Sequence, residues 1–114
     1  MVLMVTENHW PAKVSEKLGK AYLDAMKKFP DDKSIEKPIL RSAIWTDKEG
    51  MHSITVSSIK KGKVKESMDL ATNRLLMMSS IVGEFEFQMH IAYDLAEALP
   101  LVGLKSLEET PEIY

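Results

Sequence analysis

The residues best able to do chemistry in this chain are few. Three histidines, His9, His52 and His90, have neither the helical i, i+4 spacing nor the HExxH frame of a histidine metal centre. Cysteine is absent, which removes thiolate ligands, thiol nucleophiles and disulfides. No metal and no cofactor is therefore expected, and no Ser-His-Asp arrangement or carboxylate pair can be built from the spacing. What remains is a set of aromatic and hydrogen-bonding residues: Arg41, Trp45, Ser53, Thr55, Gln88 and His90. One aromatic wall with a few convergent polar groups is how a small organic molecule is usually held. On this reading Trp45 lines the pocket, and His90 or Arg41 polarises a substrate oxygen. The plainer alternative is that these are polar residues of an antiparallel sheet facing water. Asn8-His9-Trp10-Pro11 is a further candidate, expected as a loop after the first strand with Trp10 packed on the helix that follows. The basic turn at residues 60–63 reads as a solvated loop.

These side chains depend on a small set of elements. Val2, Leu3, Met4 and Val5 are apolar without a break, the pattern of a strand hidden on both faces. Pro11 suits the first turn of a helix. Val14, Leu18, Ala21, Tyr22, Ala25, Met26 and Phe29 then form an apolar stripe over about 18 residues until Pro30. Gly19 is a mild cost inside that helix, and a close approach to the sheet would explain it. Residues 38–46 and 51–59 read as paired strands. A three-residue loop, Lys48-Glu49-Gly50, would pair Ile44 with Ile54, Ser42 with Val56 and Trp45 with Ser53. Leu40, Ile44, Ile54 and Val56 would then share the helix-covered face, with His52 beside them. Arg41, Ala43, Trp45, Ser53, Thr55 and Ser57 would share the other.

A second helix follows on the stripe Val64, Met68, Ala71, Leu75, Met78 and Val82, ended near Gly83. Residues 84–93 alternate cleanly, with Phe85, Phe87, Met89, Ile91 and Tyr93 on one side and Glu84, Glu86, Gln88, His90 and Ala92 on the other. Asp94 and Glu97 look like a capping pair for a short helix stopped by Pro100, with an apolar tail through Leu107.

At 114 residues and 12.9 kDa the chain is sized for one domain. A net charge of −2 gives no general attraction to nucleic acid or an anionic membrane. No apolar run reaches the ~18 residues of a membrane span, and the first residues lack the basic region of a secretory signal. The eight methionines suit irregular core packing. A cytoplasmic protein with no nucleic-acid or membrane partner is expected.

The order β-α-β-β-α-β predicts an α+β, ferredoxin-like sandwich: a four-stranded antiparallel sheet in the order 4-1-3-2, two helices on one face and a short C-terminal helix. Strands one and three lack the aromatics and the surface lacks the basic character of an RNA-recognition sheet, while metallochaperones of this topology need paired cysteines. The pattern resembles the dimeric α/β-barrel superfamily, with residues 1–93 as the barrel domain and 94–114 as a C-terminal extension. The resemblance lies in topology rather than in a residue signature. It implies a homodimer whose sheets pack face to face. Members include cofactor-independent oxygenases and isomerases, so a small organic ligand in the barrel is one expectation. A non-catalytic oligomeric or regulatory domain, whose sheet face is only an interface, is the other.

Overall fold

The computed structural model describes residues 1–104. In chain order the elements are β1 (Val2–Trp10), α1 (Ser15–Lys28, entered through a 3-10 turn at Ala12–Val14), β2 (Glu36–Asp47) and β3 (Gly50–Ile59). Then come α2 (Val64–Ile81), β4 (Glu86–Tyr93) and α3 (Leu95–Ala98), which tightens into a 3-10 turn at Leu99–Val102. The four strands form one antiparallel sheet in the order β2-β3-β1-β4. This is the expected ferredoxin-like sheet, with β1 and β3 central and both long helices on one face.

The core lies between that face and the helices. Trp10 at the end of β1 and Phe85, just before β4, meet Leu18, Ala21 and Ala25 of α1 and Leu75 and Met78 of α2. Each large side chain removed from water there contributes roughly 1.5–3 kcal/mol. The indole N–H of Trp10 donates to Ser15 Oγ at 3.0 Å, tying the end of β1 to the start of α1. Of the α2 stripe, Leu75, Met78 and Val82 are buried, whereas Val64 and Met68 are exposed. Gly83 follows the α2 cap without a positive φ.

β1 is longer than its apolar run suggests. The stretch Thr6–Trp10, expected as turn and loop, continues the strand and pairs on both sides, Thr6 with Thr55 and Met89, His9 with His52 and Glu86. Its polar residues hide it from a reading based on apolar runs, because Thr6 and Asn8 point toward the helices.

The β2–β3 register differs by one residue from the expected one. Asp47 pairs directly with Gly50, so the loop is only Lys48-Glu49 and Ile44 faces Ser53, not Ile54. Gly50 does take a positive φ, +120°, and a Cβ there would stand 2.8 Å from the Trp10 carbonyl oxygen, so the hairpin tip needs glycine for contact as well as conformation. The shift inverts the faces of β3. Ser53, Thr55 and Ser57 face the helices; His52, Ile54 and Val56 face the open side. Leu40 also moves to the open side, whereas Ile44, paired with Ser53, stays on the helix side as expected.

β2 carries two irregularities, between Pro38 and Leu40 and between Leu40 and Ala43. In the second, Arg41 and Ser42 together oppose the single residue Thr55, whose hydroxyl donates to the Arg41 carbonyl at 3.0 Å. A bulge of this kind breaks strict alternation, and it turns Arg41 to the helix side of the sheet.

Candidate ligand cavity and the open sheet face

The helix-covered face is polar where a core would be apolar. From β1 it presents Thr6 and Asn8, and from β3 Ser53, Thr55 and Ser57. Thr6, Ser53 and Ser57 are all buried, Ser53 to 4% exposure. They line space rather than packed side chains. A cavity of about 330 Å³ runs between the sheet and α1, walled by Trp10, Leu18, Met51, Met78 and Phe85, with Asn8, Ser53 and Thr55 as its polar floor. A smaller one, about 100 Å³, adjoins it and shares Asn8, Tyr22, Thr55 and Met78. Its mouth is formed by Asp31, Glu36, Arg41 and Arg74. A volume of this order, mostly apolar with a few convergent polar groups, is that of a small-molecule site.

Asn8 is the residue the sequence did not single out by its own chemistry. Its amide donates to Ser53 Oγ at 2.9 Å, and its Oδ1 is buried with no hydrogen-bond partner. An unpaired buried acceptor costs about 1–3 kcal/mol. Exchanging the amide oxygen and nitrogen would move the deficit to the other end of the amide without removing it. The one signal in the sequence is its place after the apolar run, where a polar stretch has the pattern of a loop.

At the mouth, Arg41 donates from Nη2 to Asp31 Oδ2 at 2.7 Å, and Arg74 reaches Asp31 Oδ1 at 3.1 Å while its Nε donates to the Phe29 carbonyl at 2.7 Å. Hydrogen bonding from Arg41, and then from Arg74, holds the Asp31 carboxyl below the ordinary carboxylate range. Asp31 is therefore an anion at neutral pH. Glu36 is occupied by the Ser67 hydroxyl, at 2.6 Å.

The open face is ordered in cross-strand rows. Trp45, His52, His9 and Glu86 form one row across all four strands. Trp45 stacks on His52 with ring centroids 5.4 Å apart, and His52 on His9 at 4.7 Å. Next come Ala43, Ile54, Glu7 and Gln88, and then Leu40, Val56, Val5 and His90. His9 has an acceptor at each ring nitrogen, the Glu49 carbonyl at 2.9 Å and a Glu86 carboxylate oxygen at 3.5 Å. The Glu49 carbonyl, then Glu86, raises its pKa above the ordinary 6.5. His90 Nε2 lies 3.0 Å from Glu7 Oε2. A shallow depression of about 370 Å³ covers the first row and the Glu7–Gln88 end of the second. At the hairpin tip Asp47, Glu49 and His52 bring three possible ligand atoms within 4.8 Å of one another, the one such group among the described residues. His52 Nε2 already bonds Asp47 Oδ1, at 3.0 Å.

The six sequence-derived site residues are thus split between two surfaces. Trp45, Gln88 and His90 share the open face as expected. Ser53, Thr55 and Arg41 lie on the opposite side, Ser53 and Thr55 because of the register and Arg41 because of the bulge. His90 and Arg41 do not meet. Asp94 caps α3 as expected, accepting from the Glu97 N–H at 3.0 Å. Leu101, Val102 and Leu104 stand exposed, so the described part of the tail does not cover the sheet; its continuation through Leu107 lies outside the described residues.

No protein-family model matches the chain, and no curated protein matches it. Solved structures similar in shape include the following two. A Caulobacter crescentus CB15 protein that carries the provisional name of antibiotic biosynthesis monooxygenase aligns over 82% of this chain and 91% of its own, at 13% identity and a TM-score of 0.49. The de novo designed protein Foldit4 aligns over 82% of this chain and 96% of its own, at 14% identity and a TM-score of 0.45. Likenesses this distant transfer neither a substrate nor a reaction. No helix among the described residues is long and apolar enough to cross a membrane.

Proposed function

We propose that this protein binds a small organic molecule in the cavity between its sheet and helices, and does so as a homodimer closed through the open sheet face. The observation that carries the first part is the polar floor of that cavity, above all the Asn8 amide with one end buried and unpaired. A bound hydroxyl or amide N–H would satisfy it. Catalysis of the oxygenase or isomerase kind that needs no bound cofactor would rest on polarisation by Asn8, Tyr22 and Arg41, since all three imidazoles lie across the sheet. A reducing cytoplasm is the compartment this reading assumes for a chain without cysteine.

The homodimer rests on the bare apolar rows: Leu3, Val5, Leu40, Ile54 and Val56 face outward, and Trp45 is 48% exposed. Four strands of eight or so residues, ~4.8 Å apart, present a face of roughly 500 Å². A standard interface takes about 800 Å² from each partner, and the exposed C-terminal turn at Leu101 and Val102 can supply the remainder. A second copy is the occupant that matches, because the face puts apolar rows toward one end and paired charges toward the other, and a two-fold axis can set apolar against apolar. Sedimentation velocity should give a particle of two chains; a monomer at micromolar concentration refutes this part. A melting-temperature screen with aromatic and aliphatic alcohols, acids and amides tests the cavity, since a ligand of the native state raises the transition. A stable dimer that no compound stabilises would favour the second reading, a non-catalytic oligomeric domain.

A further inference from the structure

Resting on that cavity reading, we infer that the ligand is an amphipathic monoanion, an apolar ring or chain bearing a carboxylate, and that Arg41 is the residue that selects it. The larger cavity is apolar above its polar floor and takes the body of such a molecule between Trp10, Met78 and Phe85. The adjoining mouth carries two guanidinium groups that share one carboxylate, Asp31. A ligand whose apolar part fills the first space places its acidic end at the second.

Three observations mark out Arg41. The first is the bulge. Strict alternation would point this side chain to the open face, and the extra residue opposite Thr55 brings it to the cavity instead. Bulges recur next to sites, where they re-aim a side chain. The second is availability. Arg74 is mostly buried and committed through Nε to the end of α1, whereas the Arg41 side chain is 51% exposed and its ion pair with Asp31 is a surface pair. Such pairs hold by only about 0–1 kcal/mol, so an incoming carboxylate can replace Asp31 as partner. The third is geometry. A guanidinium offers a planar fork that a carboxylate accepts in bidentate fashion, which an amide or alcohol of the same shape does not. Tyr22 lines both cavities and stands with Arg41 in the lining of the smaller one, at their junction.

The test pairs acids with their neutral amides: 2-naphthoate with 2-naphthamide, 3-phenylpropionate with its amide, and decanoate with decanamide. Binding is read by calorimetry at pH 7 on the full chain. At least one acid should bind ten-fold or more tightly than its amide. Arg41→Gln should abolish that preference while leaving amide affinity unchanged, and Asp31→Asn, which frees Arg41, should strengthen acid binding several-fold. Equal binding of acid and amide, or a preference that survives Arg41→Gln, overturns this inference and leaves the cavity reading standing. If none of the six compounds binds at millimolar concentration, both fail together.

Discussion

The two faces of the sheet are built the wrong way round for a simple two-layer sandwich. The face under the helices carries Thr6, Asn8, Ser53, Thr55 and Ser57 in its two central strands, while the bare face carries Leu3, Val5, Ile54 and Val56. Burying hydroxyls and an amide costs free energy unless they are hydrogen-bonded, and exposing a β-branched row forgoes the gain of covering it. Both departures from the common pattern become reasonable if the inner face is kept polar for something bound and the outer face is kept apolar for something docked. A sequence violates the usual rules of burial mainly where function demands it.

Four changes would break or sharpen that contrast. The largest effect should come from Val56→Asp, at the middle of the outer apolar row. A carboxylate forced into a dry interface should weaken self-association by about 100-fold or more, read by sedimentation equilibrium, with circular dichroism unchanged because the site is outside the core. An unaltered dimer would mean that this face does not pair. On the inner face, the double change Asn8→Leu with Ser53→Ala replaces both members of an incompletely satisfied pair. It should raise stability by about 1–2 kcal/mol in urea unfolding while abolishing ligand stabilisation. A loss of stability instead would mean that the polar floor serves the fold.

A control lies on neither face. A Cβ at Gly19 meets nothing within 4 Å, so no close approach of helix to sheet requires glycine there. Gly19→Ala should add about 0.5–1 kcal/mol, measured the same way. The smallest effect concerns the polar row. Because the folded-state pKa of His9 lies above 6.5, the stability gained by its charged form is complete below pH 6.5 and lost as pH rises through the folded value. The melting temperature of wild type should therefore exceed that of His9→Gln most at pH 5.5, and the gap should narrow by pH 8.5. A gap that widens with pH would contradict the pairing with the Glu49 carbonyl and Glu86.

The inversion also explains what could be read from the sequence. Element order and sheet topology were legible because the α1 stripe and the alternation of Phe85, Phe87 and Met89 obey ordinary periodicities. Trp45, Gln88 and His90 were placed on the correct side for the same reason. The β3 faces were not, because hydrophobic patterning assigns Ile54 and Val56 to the helices, and the hairpin register follows from that assignment. Lys48-Glu49-Gly50 suits a two-residue or a three-residue loop, so turn chemistry offered no correction. Arg41 escaped because a bulge leaves no mark in residue type, and Asn8 because a polar residue pointing into a cavity looks like one in a loop.

The position of β1 has a kinetic corollary. It is the earliest strand in the chain and one of the two with neighbours on both sides, yet those neighbours, β3 and β4, begin 40 and 76 residues beyond its own end at Trp10. At synthesis rates of about 5–20 residues per second, several seconds separate its emergence from that of its second partner. During that interval the unbroken apolar run Val2–Val5 is part of a nascent segment without a sheet to join. Folding of this chain is therefore paced by its last strand, and any cellular factor that shields nascent apolar segments has its natural target at residues 2–5.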